Sequence, residues 1–273
     1  MKTFFRDEMI VVPSELTIPS HQKTFRMLTA LQQQRQLELV AEFQPIAPEQ
    51  WIGIHDSSYV RSVAKADAET FYAASIPASQ CMSDAIGHSA ASMVAATSAA
   101  LESGCSFSPT CGFHHAHWAQ PGVFCLLNAL PLAARLALTH TLVNNVLILD
   151  CDYHRGNGTE DILARLDDAR IVHNSLGYKF SCSSQASAYL QEIDRTCQSI
   201  RNSDFDLVIY QAEWMFFLAI RLEVEYYLST KYAHGIRLFF QPAIMATCQL
   251  SGILPVATPT RTATGVMSCS KDI

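Results

Sequence analysis

The chain alternates short apolar runs with stretches of helical periodicity. Across residues 19–43, Phe25, Leu28, Leu31, Leu37 and Val40 recur at helical spacing, which predicts a helix. Residues 79–101 are rich in Ala and predict a second helix, with Gly104 placed to end it. Residues 123–138 are apolar nearly all round, as a buried helix is; Pro131 either kinks that helix or marks its true start. Three apolar runs, 146–149, 169–172 and 207–210, read as buried strands. Helical stretches at 160–166 and 186–200 lie between them. Strand and helix in alternation predict βαβ units on a parallel sheet, an α/β fold. In such sheets functional groups gather at the carboxyl ends of the strands.

The pattern weakens after Ala212. Residues 214–227 are dense in aromatics with no amphipathic face, and residues 250–273, rich in Thr, Ser and Pro, follow neither period. About the last 60 residues are therefore expected to be poorly specified. The chain is long enough, at 273 residues, to bury a substantial core, and 49% of it is hydrophobic against 16% charged. That balance excludes disorder as the dominant state. A net charge of −6 argues against a general nucleic-acid binder. No apolar run reaches the length of a bilayer span, and the first residues lack an apolar signal core. The nine cysteines are odd in number and show no Cys-x-x-Cys, so reduced thiols in a cytoplasmic protein are expected. Gly is scarce, 11 residues with no two adjacent.

Two stretches carry chemistry. The first strand of the alternation runs into Asp150-Cys151-Asp152-Tyr153-His154-Arg155-Gly156-Asn157-Gly158. Residues two apart on extended chain face one side, so Asp150, Asp152 and His154 project together. A carboxylate and an imidazole supply two of the three protein ligands of a catalytic zinc site; taken alone, the same residues also fit a strand-end turn with solvated acids. Gly156 and Gly158 are expected to let the chain turn sharply away. The second stretch, Cys111-Gly112-Phe113-His114-His115-Ala116-His117-Trp118, sets adjacent imidazoles before a buried helix. Histidine is the natural general acid or base near neutral pH. His117 has no evident partner and is expected to be a bystander.

Gly-Phe-His-His-Ala, then residues 123–128 (Val-Phe-Cys-Leu-Leu-Asn), then Leu149 to Thr159 in this order resemble the histone deacetylase superfamily, which includes bacterial acetylpolyamine amidohydrolases. The bacterial and class IV-like branches are the most similar. His55-Asp56-Ser57-Ser58-Tyr59 and residues 206–212 also fit the family pattern, so the resemblance covers about residues 20–212. It implies a three-layer arginase/deacetylase-like fold around a central parallel sheet. It implies that Asp152 and His154 bind Zn²⁺. His114 and His115 would face the catalytic water, with His115 as general base. Asp150 would back His114, and Asn157 would back His115. Phe124 would line the channel gripping an acylated chain. A structural K⁺ or Na⁺ would be held by groups of Asp150, Asp152, His154, Ser175 and Leu176. The implied activity is zinc-dependent hydrolysis of an acyl-amide, with acetyl-lysine or a small acylated amine such as an acetylated polyamine as substrate.

Several positions depart from the family pattern. The third zinc ligand is an Asp after Gln-x-Gly-x; this chain reads Gln211-Ala212-Glu213-Trp214-Met215, with Met215 at the ligand position. A thioether is a poor partner for Zn²⁺ beside a carboxylate and an imidazole. The Gly-rich loop carrying a carbonyl-polarising Tyr has no counterpart, and Tyr226, Tyr227 and Tyr232 stand in another context. Val123 replaces a customary Gly. The chain is thus expected to comprise a partial catalytic domain, 1–212, and a divergent tail, 213–273, as a change of reading frame after Ala212 or a truncation with an unrelated tail would produce. Two alternatives remain. One is a non-catalytic remnant of the same fold. The other is a two-manganese ureohydrolase, whose Asp-x-His-x-Asp order differs from Asp150, Asp152, His154.

Overall fold

The computed structural model describes residues 1–11, 37–110, 113–179, 183–213 and 237–243, together with Thr24, Leu28 and Gln32. Its strands are β1 (Lys2–Phe4), β2 (Glu38–Val40), β3 (Cys105–Phe107), β4 (Val146–Cys151), β5 (Ile171–Ser175), β6 (Leu207–Glu213) and β7 (Arg237–Ala243). All pair in parallel in one sheet, in the order β2-β1-β3-β7-β6-β4-β5. The α-helices are α1 (Ser57–Ala64), α2 (Ala68–Ala73), α3 (Gln80–Ser103), α4 (Ala129–Ala137), α5 (Asn157–Leu166) and α6 (Ala186–Arg201).

Side-chain alternation on the central strands divides the core between the two faces of the sheet. Val146 and Ile148 of β4, with Leu207 and Ile209 of β6, pack into a cluster that includes Ala96 and Ala100 of α3 and Leu130 and Ala133 of α4. Their neighbours Leu147, Leu149, Val208 and Tyr210 join Ile193 and Cys197 of α6 in a second cluster. Helices therefore cover both faces, as an all-parallel sheet requires, and the result is the expected three-layer α/β architecture.

The caps explain where the helices begin. The Ser79 side chain accepts from the Met82 amide at the start of α3, and Gly104 ends that helix at φ +80°. Asn128 caps α4 through the Leu130 amide. The apolar run that begins at residue 123 is thus not helical at its start, and Pro131 falls in the first turn of α4, where its missing N–H costs nothing. Two further expectations are corrected. Of residues 19–43, Thr24, Leu28 and Gln32 are helical, but Glu38–Val40 form β2 beside β1; the remainder of 12–36 lies outside the described residues. β5 runs two residues later than its apolar run, because Asp168 and Arg170 pair with each other before it and polar His173 and Ser175 continue the strand. β7 comes from within residues 213–273 and fills the sheet between β3 and β6. Residues 214–236 and 244–273, with Met215, Tyr226, Tyr227 and Tyr232, lie outside the described residues.

Candidate active site

The carboxyl ends of β4 and β5 and the start of α5 meet the loop that carries the paired histidines. Asp150 is fully buried at the end of β4. Its Oδ1 accepts from the Asp152 amide at 3.0 Å, and its Oδ2 lies 2.8 Å from His114 Nδ1. Burial pushes the Asp150 carboxyl up, but the His114 and His173 rings outweigh it and hold the group below the ordinary carboxylate range. Asp150 is therefore an acceptor, His114 Nδ1–H donates to it, and His114 Nε2 is left 3.7 Å from Asp152 Oδ1.

The His115 ring lies against that of His114, tilted by 47° with centroids 4.0 Å apart, and has a different partner. Its Nδ1–H donates to Asn157 Oδ1 at 2.8 Å. Burial, then the neighbouring His114, lowers the His115 pKa and favours a neutral ring. Two adjacent imidazoles thus share one orientation of Nδ1, one backed by a carboxylate and one by an amide. A carboxylate favours a protonated imidazole more than an amide does, so their proton affinities are set apart. His154 completes the arrangement, 5.7 Å from the His115 ring. Its amide donates to Asp152 Oδ1 at 2.8 Å, and its Nδ1 lies 3.2 Å from the same oxygen.

The loop bearing His114 and His115 is clamped from below. Thr159 of α5 donates its amide to the His114 carbonyl at 3.0 Å. Asn128 Nδ2 donates to Thr159 Oγ1 at 3.0 Å and to the Ala116 carbonyl at 3.3 Å. His55 closes the network: its Nδ1–H donates to the His117 carbonyl at 2.8 Å, and its Nε2 accepts from the Asn128 amide at 2.9 Å. Tyr59 donates its hydroxyl to the Leu126 carbonyl. His117 thus serves through its backbone, while its ring lies 3.6 Å from Asp161.

The glycines act differently from the expectation that they turn the chain. Gly156 has φ −74°, open to any residue. A Cβ on Gly156 would stand 2.4 Å from Asp150 Oδ2, and one on Gly158 would stand 2.4 Å from the Ala116 carbonyl oxygen. These positions need Gly for close approach of α5 to the site. A Cβ on Gly122 would likewise meet the His115 carbonyl oxygen at 2.1 Å. Phe124 follows two residues later at φ +58°, its amide bonded to the Ala74 carbonyl at 2.8 Å.

His114, His115, Asp150, Asp152, His154 and Asn157 are therefore brought together. Ser175 and Leu176 join them: Ser175 Oγ accepts from the Gly156 amide at 3.2 Å, and the Leu176 amide donates to the Asp150 carbonyl at 2.7 Å. Sequence reasoning missed His173, whose Nε2 lies 3.6 Å from Asp150 Oδ2. The signal was parity: His173 is two residues before Ser175, so both face the site side of β5. It also passed over Gln211, fully buried in register with Asp150, whose side-chain N and O have no hydrogen-bond partner among the described residues.

The donor chemistry can be tested against a metal. Asp152 Oδ2 is buried and has no hydrogen-bond partner among the described residues. An orphaned carboxylate oxygen in a dry site is costly unless a cation meets it. Asp152 and the adjacent His154 thus fit as two donors to a cation. Among the described residues no group of three His, Cys, Asp or Glu is arranged to hold a metal. The third position expected from sequence, Met215, is outside those residues.

This constellation lies at one end of the parallel sheet of a three-layer α/β fold, and known proteins similar to the chain identify its family. A model of the histone deacetylase domain matches residues 18–180, more than half of the chain, and the protein belongs to that family. Over 49 residues it is 45% identical to histone deacetylase HOS3 of Saccharomyces cerevisiae, covering 18% of this chain and 7% of that protein. Over 55 residues it is 46% identical to acetylpolyamine amidohydrolase 1 of Pseudomonas aeruginosa, covering 20% and 16% respectively. These matches span only a small part of the curated relatives' own length. The crystal structure of the HDA15 HD domain superposes with a TM-score of 0.71 at 16% identity, over 89% of this chain and 85% of that one, and supports the fold.

Proposed function

We propose that the protein is a zinc-dependent deacylase that hydrolyses the amide of an acetyl-lysine or an acetylated polyamine. The observation that carries this is the pair of adjacent imidazoles, His114 on Asp150 and His115 on Asn157, beside the Asp152 carboxylate, whose Oδ2 is buried with no hydrogen-bond partner among the described residues. Asp152 and His154 would hold the metal. Zinc bound there supplies Lewis acidity, lowering the pKa of a water to about 7 and polarising the amide carbonyl.

The chain's own residues divide the proton transfers. Neutral His115, its Nδ1–H held by Asn157, presents Nε2 as general base to the attacking water. His114, its Nδ1–H held by ionised Asp150, presents Nε2 to stabilise developing charge and to protonate the leaving amine. Phe124 lines the approach of the acyl chain. Asp150, Asp152, His154, Ser175 and Leu176 would supply the oxygen groups for a K⁺ or Na⁺. With Met215 at the third ligand position and no counterpart of the Gly-rich Tyr loop, turnover is expected to be impaired. Loss of one oxyanion donor typically costs ~10²–10³ in rate.

The second reading is a non-catalytic member of the same fold, favoured by the two-donor set among the described residues. Metal analysis of the purified chain, with an acetyl-lysine reporter and an acetylpolyamine panel, separates the two. One equivalent of zinc with zinc-dependent turnover supports the deacylase. No bound zinc and no turnover would leave the non-catalytic reading.

A further inference from the structure

The other end of α5 borders a cavity of about 580 Å³, between Gly53, the end of α4 and the α5–β5 turn. That volume is in the range of small-molecule sites. Asn157 at the start of α5 belongs to the active site and Leu166 at its end lines this cavity, so the two are about 14 Å apart along the helix. Three guanidinium groups, those of Arg135, Arg165 and Arg170, line it, beside Trp118 and Leu166.

Each arginine is tied by internal contacts that leave further N–H donors over. Arg135 Nη1 donates to the Gly53 carbonyl at 2.9 Å. Arg165 lies over the Trp118 ring at 5.9 Å and 3.5 Å from Asp161. Arg170 grips Asp168 through Nε at 2.8 Å and Nη2 at 2.6 Å. Asp168 also feels Arg135, which with Arg170 holds its carboxyl below the ordinary range. Counting both Asp168 and Asp161 against the three arginines still leaves a positive charge, on a chain whose net charge is −6. Guanidinium groups fixed in advance lose little freedom on binding and match phosphate oxygens bidentately.

We propose that this cavity binds a small organic phosphate, its phosphoryl group between Arg135 and Arg170 and its apolar or aromatic body against Trp118 and Leu166. Binding there does not depend on turnover at the active site.

Calorimetric titration of the full chain at constant ionic strength tests it, with phenyl phosphate, inorganic phosphate and phenol as probes. Saturable binding of phenyl phosphate at least tenfold tighter than inorganic phosphate, with none of phenol, is expected. Arg170→Gln and Arg165→Gln should each weaken phenyl phosphate about tenfold; both side chains are exposed and their loss leaves the Gly53 contact intact. Arg135→Gln should do the same, with far-UV circular dichroism confirming the fold. Absence of saturable binding, or binding unchanged in all three variants, would overturn the proposal.

Discussion

His114 Nδ1 lies 2.8 Å from Asp150 Oδ2, and both side chains are almost fully removed from water. A buried carboxylate in that position fixes which imidazole nitrogen carries the proton and steadies the ring if it becomes charged. Replacing it by an amide keeps the shape and removes the charge. Asp150→Asn is expected to fold and to lower kcat on an acetyl-lysine reporter by about 100-fold or more, with a smaller change in KM. A kcat within threefold of the parent would show that His114 does not work through Asp150.

Asn157 gives a complementary test, readable without turnover. Its Oδ1 accepts from His115 Nδ1 at 2.8 Å, and the His115 ring lies below its ordinary pKa because of burial and the neighbouring His114. Asn157→Asp puts a carboxylate where the amide is and favours the imidazolium. The His115 resonance in a proton NMR titration should move to higher pH. A general base needs the neutral ring, so the acidic limb of any pH–rate profile should move the same way. An unchanged titration would mean that this hydrogen bond is not made in solution.

How much of this was legible from sequence differs by residue. Asp150, Asp152 and His154 were readable from their two-residue spacing after an apolar run; only Asp150 lies in β4, and the bend that follows Cys151 brings Asp152 and His154 together with it and with His114, His115 and Asn157. The helix α3 was readable from Ser79 and Gly104, which cap it locally. His173 was not, because β5 is an edge strand of mixed polarity and its apolar run stops at Val172. Asn128 was not assigned its role because its bonds reach Thr159 and Ala116, and His55 through the Asn128 amide, and long-range partners leave no local pattern. Nor was the reason for Gly156 and Gly158, which is a neighbour's backbone or side chain rather than their own dihedral angles.

A Cβ at residue 158 would come 2.4 Å from the Ala116 carbonyl oxygen and 2.5 Å from the His115 carbonyl carbon, both backbone atoms that no rotamer change can move. Gly158→Ala should therefore destabilise the fold by about 3 kcal/mol, although Ala is the better helix former. Gly104→Ala is a useful contrast: its Cβ meets nothing within 4 Å, and only the φ of +80° penalises it. It should cost about 1 kcal/mol. Urea unfolding of both variants measures the difference; equal losses would mean that α5 does not sit this close to the histidine loop.

His55 links the same loop to pH. It is buried with both ring nitrogens used, Nδ1–H toward the His117 carbonyl and Nε2 accepting from the Asn128 amide. A second proton has no place to go without breaking the Asn128 bond, and burial pushes the ring down from 6.5 to about 4. In the unfolded chain the ring keeps its ordinary value, so between those two pH values the unfolded state binds a proton that the folded state refuses. Stability from this group is therefore fully present above pH 6.5 and is lost as pH falls toward 4. The loss between pH 7 and pH 5 is about 2 kcal/mol. His55→Gln cannot titrate; it should be less stable than the parent at pH 7 and lose about 2 kcal/mol less over the same interval. Urea midpoints at pH 7, 6 and 5 measure both slopes, and parallel lines for the two proteins would show that His55 is not the group that couples this fold to acid.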